Sequence, residues 1–439
     1  MTIKIKLNGG LDIGNGYVKA VVENPDIAAG PDRIAGSRDV VDMPSSVSVL
    51  TRPNQLPIPD QEAPSVLLEG AGDTDFYNQL DASFSSPLVP DQYRRVFGVR
   101  SLTADGAFEE FDTVGRASKA KQPLSKALVL GIFAAKALRD YIKQHDELPQ
   151  EELHVTARAA LALPISEFLR HRESYAAEFL HGAKSHVVLI ENFETKVVVK
   201  ITFADVQVLA EGASAQYAIV AKGEGLIDVM LKDVRAHGMD LPGITAQDVL
   251  AATNTVGIDV GEGTVNFPVF TNGKFNADAS QTLGKGYGSV LTGAIKAMED
   301  QGIESGFSSR KELAAFLQRT PSALKRAFYD RVKQYVDQEA RFFADEVAEK
   351  LGAVLRTVGA VTEVGFVYGG GSGPVKEVLY RALLAKVSEM NSISAFPVLY
   401  LDSSYSRHLN REGLFIAVKA VQSRQVGTTR NIDKKEKAA

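Results

Sequence analysis

The sequence predicts an α/β protein of two related lobes, each opening on the same kind of hairpin. Three observations point there. The run Leu11-Asp12-Ile13-Gly14-Asn15-Gly16 returns in style, in the second half of the chain, as Ile258-Asp259-Val260-Gly261-Glu262-Gly263. Strand-like and helix-like runs alternate after each copy. A chain of 439 residues is also too long for one hydrophobic core, so two lobes or more are expected.

The elements follow in order. Residues 3–13 and 17–23 read as strands, because Asn15-Gly16 between apolar runs is a strong hairpin signal. The alternation that begins at Met1-Thr2-Ile3-Lys4 belongs to the first strand and does not resemble a signal peptide. Residues 24–118 are rich in proline (Pro25, Pro31, Pro44, Pro53, Pro57, Pro59, Pro64, Pro87, Pro90) and poor in long apolar runs. They predict an irregular inserted subdomain with short strands near 46–50, 65–69 and 95–103. Pro123 and Ser125 open a helix over 123–145, where Leu128, Leu130, Ile132, Phe133, Leu138 and Ile142 recur at helical spacing. A strand at 153–163 ends at Pro164, and a helix at 165–181 follows. Strands at 186–191 and 195–203 read as a hairpin. A strand at 205–210 runs into a helix at 211–222, continued toward His237.

Gly238, Pro242 and Gly243 mark a connection over 238–252. A second hairpin follows at 254–260 and 264–270, with a third strand at 274–279. Helices are expected at 287–300, 309–318, 321–329 and 331–358. A strand at 363–368 enters a glycine cluster. A helix at 374–389, a strand at 397–401 and a helix at 411–422 complete the order. From Ser423 onward the tail is polar and basic and reads as disordered.

Composition narrows the function classes. Hydrophobic residues make up 45% and charged residues 23%, as in ordinary globular proteins. The net charge of −5 demands no basic face, so direct nucleic-acid binding is not expected. The basic residues of the tail (Arg424, Arg430, Lys434, Lys435, Lys437) read as a solvated terminus. The absence of cysteine excludes disulfides and thiolate metal sites, and the seven histidines show no metal spacing. No run reaches eighteen apolar residues, so no membrane span is expected and a cytoplasmic protein is the plain reading.

Three segments carry chemistry. In Asp12 to Lys19, a turn of small residues (Gly14, Asn15, Gly16, then Tyr17) exposes backbone N–H groups that can cradle phosphate oxygens. Asp12 aims a carboxylate at the same place, which is tolerable if a divalent cation intervenes. Magnesium keeps most of its waters, so Asp12 suits a water-mediated ligand. Lys19 can offer a point charge. Alone, this segment reads as an ordinary hairpin with Asp in the turn. The second hairpin (Asp259, Gly261, Glu262, Gly263, Thr264) can clamp a polyphosphate from the opposite side, with Asp259 sharing the cation. Glu262 adds charge there; it either orders metal-bound water or points into solvent. In the third segment, Tyr368-Gly369-Gly370-Gly371-Ser372-Gly373-Pro374, glycines allow a flat ligand close to the backbone and a helix start offers free N–H groups. Alone, it is a strand-to-helix loop. No Walker loop occurs: Gly284-Lys285-Gly286 lacks the upstream glycine and the hydroxyl residue.

These motifs, in this order, resemble the actin, sugar-kinase and heat-shock chaperone ATPase superfamily. Asp12–Lys19 resembles its first phosphate motif, Asp259–Asn266 its second, and Tyr368–Ser372 its adenosine motif. Within the superfamily the chain is similar to the plasmid-segregation actins of bacteria and archaea (ParM-like). The segments that carry this are the aspartate-to-lysine spacing of the first hairpin, Ala162-Leu163-Pro164-Ile165-Ser166-Glu167-Phe168, Val208-Leu209-Ala210-Glu211-Gly212-Ala213, and Asn410-Arg411-Glu412-Gly413-Leu414-Phe415. Asn266 stands where actin has a histidine. Glu262, acidic as in actin, departs from the glycine of the chaperones and kinases.

The resemblance implies an actin-like (ribonuclease H-like) two-lobe fold, each lobe a mixed five-stranded sheet with flanking helices. Lobe I would hold 1–245 and 411–425, with 24–118 inserted. Lobe II would hold 246–410, with 285–360 as an inserted helical part, and 426–439 would be a disordered tail. The resemblance further implies ATP (or GTP) with magnesium, held in the cleft by Asp12, Gly14, Asn15, Gly16, Tyr17, Lys19, Gly261, Glu262, Gly263, Thr264, Gly369, Gly370, Gly371 and Ser372. Asp12 and Asp259 would meet the metal through water, and Glu211 with Asp259 would be catalytic. Glu211 would position the attacking water; as an isolated residue it could equally cap its helix. The implied function is nucleotide-dependent polymerisation, head to tail with itself, for plasmid DNA segregation through a DNA-binding adaptor protein. Two alternatives are a small-molecule kinase of the same superfamily, for which no acceptor-side base stands out, and a nucleotide-binding scaffold for cell shape.

Overall fold

A computed structural model describes residues 2–27, 38–52, 75–112, 118–237, 243–304, 306–307, 309–358, 361–390, 396–401 and 403–420. The expected strand at 65–69 and the tail from 423 lie outside them. The chain forms two compact units, one of residues 1–163, 167–210 and 410 onward, the other of 164–166 and 211–409.

The first unit is built on a ten-stranded sheet. Its hairpin joins β1 (Ile3–Ile13) and β2 (Tyr17–Glu23). The region expected to be irregular supplies β3 (Arg38–Pro44), β4 (Ser46–Leu50), β5 (Asp81–Ser85), β6 (Arg94–Phe97) and β7 (Ala107–Glu110), with the short helix α1 (Phe76–Gln79) between β4 and β5. Only β4 and β6 overlap the strands expected there. The reason is visible in β7, whose four residues are all exposed and so carry no alternating pattern. Helix α2 (Pro123–His145) begins with Pro at its first turn and ends where Asp146 takes a left-handed φ of 55°. Next come β8 (Leu153–Leu163), α3 (Ile165–Leu180), β9 (His186–Ile190) and β10 (Val197–Ala210). The two strands expected over 195–210 are this single β10. It carries a bulge between Phe203 and Asp205 that shifts its register against β8.

The sheet order is β3-β2-β1-β8-β10-β9-β5-β6-β4-β7. The buried α2 packs on it, with Phe133 edge-on to Phe203 at 5.5 Å. A helix at 409–420 also belongs here, where Leu414, Phe415 and Val418 form a small core with Val21, Ala160 and Ala162.

In the second unit the helix expected to run on to His237 is two, α4 (Ala213–Lys222) and α5 (Glu224–Ala236), parted at Gly223 with φ 67°. The expected connection holds α6 (Ala246–Ala251), begun by a capping box between Thr245 and Asp248. The second hairpin pairs β11 (Thr255–Val260) with β12 (Val265–Phe267). Pro268, which has no N–H to donate, separates β12 from β13 (Val269–Thr271), which also pairs β11. The strands β14 (Lys274–Phe275) and β15 (Gln281–Leu283) are short. Helices α7 (Tyr287–Asp300), α8 (Arg310–Leu317) and α9 (Arg326–Val358) follow. The two helices expected over 321–358 are thus one α9 of 33 residues, after a single 3-10 turn at Ala323–Lys325. Then come β16 (Val364–Tyr368), α10 (Lys376–Met390) and β17 (Val398–Tyr400).

The duplication inferred from the hairpins extends to topology. Strands β3, β2 and β1 are antiparallel neighbours, and β1, β8 and β10 are parallel ones. In the second unit β15, β12 and β11 are antiparallel neighbours, and β11, β16 and β17 are parallel. Each unit therefore has a mixed five-stranded core with the same order and directions, flanked by helices. The further strands extend these two cores.

Candidate functional site

Strand β1 carries Asp12 to the mouth of the first turn. The residue is buried and faces Lys19 across the β1–β2 ladder. Gly14 N–H donates to Tyr17 O at 3.0 Å and closes the turn. Ser45, between β3 and β4, braces it twice: its hydroxyl donates to Gly14 O at 2.5 Å and its N–H to Gly16 O at 3.0 Å. Gly14 and Asn15 remain half-buried, and Tyr17 is exposed.

The second turn is closed in the same way, by Gly261 N–H on Thr264 O at 2.9 Å. Asp259 is buried, with Asn266 as its ladder partner. Backbone bonds tie this turn to two other segments. Tyr287 N–H donates to Gly261 O at 3.0 Å and Gly288 N–H to Glu262 O at 2.9 Å, so the start of α7 is fastened to it. Gly371 N–H donates to Val260 O at 2.8 Å, which fastens the glycine cluster. The second hairpin and the glycine cluster, distant in sequence, are thus one assembly.

Within the cluster the glycines divide. A Cβ on Gly369 would stand 2.5 Å from an Asp259 carboxylate oxygen, and one on Gly371 would stand 2.8 Å from both Gly261 O and the Tyr287 Cβ. Packing of the chain on itself therefore accounts for these two, while Gly370 faces outward. Ser372 is fully buried; its hydroxyl donates to Gly369 O at 2.8 Å, and Tyr400 OH donates to Ser372 O at 2.7 Å. Burial, and then the Asp259 carboxylate, push the Tyr368 hydroxyl well above its ordinary range. It stays protonated and donates to Gly212 O at 2.8 Å.

The Glu262 side chain is partly exposed. It makes an ion pair with Arg310, the first residue of α8, at 2.8 Å between Oε1 and Nε. Glu211 lies one residue before Gly212, the N-cap of α4. Its Oε2 accepts from Asn266 Nδ2 at 3.1 Å. Gly212, with φ 80°, brings this corner against Asp259, so Glu211, Asp259 and Asn266 are neighbours in one unit.

Among the described residues no three His, Asp or Glu side chains converge on a point that could hold a metal. A buried single carboxylate at each turn suits magnesium, which takes one or two carboxylates and fills its octahedron with water and phosphate oxygens. Four contributors escaped the sequence reading: Ser45, Arg310, Tyr368 as a donor, and Thr282, whose hydroxyl donates to Asn266 Oδ1 at 2.9 Å. The hydroxyl pair Ser45-Ser46 beside Pro44 is the one local signal that marks a brace.

No family model matches the chain, and no curated protein does. Solved structures do. Bacillus thuringiensis ParM with ATP is 17% identical, with a TM-score of 0.56 over 95% of this chain and 99% of that one. The actin-like protein Alp7A is 15% identical, with a TM-score of 0.61 over 98% and 100%. An archaeal actin homologue is 16% identical, with a TM-score of 0.54 over 94% and 99%. No helix of the described residues is long and apolar enough to cross a membrane. The likeness runs the length of the chain and is one of fold, and the fold is that of the actin-like proteins.

Proposed function

We propose that the chain is an actin-like ATPase that binds ATP (or GTP) with magnesium and polymerises with copies of itself while the triphosphate is intact. We further propose that it acts in the cytoplasm, moving plasmid DNA through a DNA-binding adaptor. The observation that carries the reading is the convergence of Glu211, Asp259 and the second turn beside the glycine cluster. The similarity to ParM with ATP supports it.

Glu211 orients the attacking water and accepts its proton late in the reaction. Asp259 and Asp12 are the residues that would hold magnesium, through its water. The metal, when bound, neutralises charge on the phosphates. The backbone of Gly14–Tyr17 and Gly261–Thr264, with Lys19, binds the phosphates, and the surface around Gly370 receives the nucleoside.

Turnover of Mg·ATP and Mg·GTP, followed with light scattering and sedimentation, tests the proposal. Glu211→Ala should slow phosphate release about 10²–10⁴-fold, the usual scale for such a group, with nucleotide still bound. Asp12→Ala and Asp259→Ala should weaken binding itself. Hydrolysis by a protein that stays monomeric at every concentration would remove the filament part, and transfer of phosphate to a small acceptor would replace it with a kinase.

A further inference from the structure

Asn266 joins two parts of the second unit. Its Oδ1 accepts from Ile165 N–H at 3.3 Å and from Thr282 Oγ–H at 2.9 Å, while its Nδ2 donates to Glu211 Oε2 at 3.1 Å and lies 3.3 Å from Thr264 Oγ. The direction of every bond follows from chemistry. A backbone N–H only donates, so the arm toward Ile165 is the carbonyl. A carboxylate only accepts, so the arm toward Glu211 is the NH₂. Ser166 N–H donates to Thr282 Oγ at 3.4 Å, which leaves the Thr282 proton for Asn266. Ile165 and Ser166 begin α3, where amides have no partner within their own helix. A file of donors therefore runs from a helix start, through Thr282 and Asn266, to Glu211.

We infer that Thr282 is a positioning residue for the hydrolytic step: by holding the Asn266 carbonyl, it keeps the Asn266 NH₂ on Glu211 and so fixes the carboxylate that orients the water. Without the hydroxyl, Asn266 Oδ1 keeps only the long bond from Ile165. The amide, no longer held at its carbonyl by the hydroxyl, can tilt, which lengthens the Asn266 NH₂ bond to Glu211 and loosens the carboxylate. Thr282 is half-buried on the short strand β15, and its hydroxyl meets the Ser166 N–H and Asn266 Oδ1. Its effect thus falls on turnover and not on nucleotide affinity. The inference rests on Glu211 as the water-orienting residue.

The test uses the full chain and measures saturated Mg·ATP turnover, nucleotide affinity by titration and resistance to urea. Thr282→Val should lower turnover about 10²-fold, the scale expected when a catalytic group is displaced by roughly 1 Å, with affinity unchanged. Thr282→Ser should restore most of it. Should Thr282→Val lose its resistance to urea, Asn266→Asp carries the test at a pH where both carboxylates are ionised: it matches asparagine in shape, still accepts from Ile165 and Thr282, and then has no proton to donate to Glu211. Its turnover should be equally low. Wild-type turnover in Thr282→Val or Asn266→Asp, with Glu211→Ala slow, overturns the role of Thr282 and leaves the ATPase reading standing. Equal loss in Thr282→Ser and Thr282→Val also overturns it, because packing and not the hydroxyl would then matter. A wild-type protein without turnover, or a Glu211→Ala variant with full turnover, overturns the ATPase reading itself.

Discussion

Gly212 is the place where a single methyl group should act on fold and site together. Its φ of 80° and ψ of −40° belong to a region that side-chain-bearing residues avoid. Its carbonyl is held by Tyr368 OH at 2.8 Å and by Ala215 N–H at 3.1 Å, so the backbone cannot rotate away. In Gly212→Ala the new Cβ would stand 3.0 Å from the Asp259 Cβ and 3.1 Å from the Pro268 Cγ, both on a buried sheet. Backbone strain costs about 1–3 kcal/mol and crowding in a packed site about 1–3 kcal/mol more. Gly223→Ala separates the two. Gly223 has φ 67° and ψ −156° but nothing within 4 Å of a Cβ, so it bears the strain alone. Urea unfolding should place Gly212→Ala below Gly223→Ala by the crowding cost. Mg·ATP turnover should fall about 10²-fold or more in the first, as Glu211 and Asp259 are displaced, and stay near wild type in the second. Equal destabilisation in the two variants would refute the close approach of Gly212 to Asp259.

Other perturbations follow from charges and hydrogen bonds. Asp39 on β3 accepts from Tyr77 OH at 2.8 Å and Arg139 Nε at 3.0 Å, with Lys136 at 3.5 Å and Lys143 at 3.6 Å. Burial raises its pKa, but Lys136, Arg139, Lys143 and the Tyr77 hydroxyl outweigh burial and hold it at about 2, below the ordinary 3.8. A depressed carboxylate contributes stability above pH 3.8 and loses it as pH falls toward 2. At about 1.4 kcal/mol per pKa unit the contribution is about 2 kcal/mol at neutral pH. Asp39→Asn should lose at least this in urea unfolding at pH 7, with the gap to wild type narrowing below pH 3.8; a gap that ignores pH would count against the network. His186 is fully buried between Phe179 O at 2.8 Å, which takes the Nε2 proton, and Ser86 Oγ at 2.8 Å, which donates to Nδ1. Burial lowers its pKa below 6.5, the Phe179 carbonyl opposing this and His181 adding to it. The unfolded chain then takes up the proton first, so stability falls as pH drops below 6.5, a slope that His186→Phe should flatten. The Glu262–Arg310 pair is partly exposed, so Arg310→Ala should change stability by less than about 1 kcal/mol; a larger loss would mean that α8 depends on it.

The parts of the fold that were legible in the sequence share a cause: a local pattern strong enough to act alone. Asn15-Gly16 between apolar runs, the apolar helix after Pro123 and the glycine cluster after β16 each announce themselves. What stayed hidden depends on partners remote in the chain. Strands β5 and β7 hold their places through neighbours in the sheet, not through their own alternation. Ser45, Thr282 and Arg310 matter only because the fold delivers them to turns made elsewhere. That Glu211 lies beside Asp259 and Asn266 needed the fold, because these residues are distant in the chain. The partner of Glu262 was not legible, since an acidic side chain on a turn says nothing of the arginine that meets it.

The repeat itself contains one more residue than the motif reading used. Gly10 precedes Leu11-Asp12 as Gly257 precedes Ile258-Asp259, so both copies read Gly-x-Asp-x-Gly-x-Gly. In each unit this glycine is where another element lies against the central strand. A Cβ on Gly10 would stand 2.7 Å from the Phe415 Cα and 2.8 Å from the Leu414 carbonyl carbon, which are backbone atoms of the helix at 409–420. One on Gly257 would stand 2.7 Å from the Pro268 Cγ and 3.0 Å from the Tyr368 Cζ, which are side-chain atoms. Side chains can yield a little, whereas a helix backbone must move as a whole. Gly10→Ala should therefore exceed the about 1–3 kcal/mol of ordinary overpacking and loosen the helix at 409–420, read as faster amide exchange there. Gly257→Ala should stay within that range and act on the Tyr368–Gly212 bond instead. Unchanged exchange at 409–420 in Gly10→Ala would mean that the duplicated glycine is a relic of the repeat and not a contact that either unit needs.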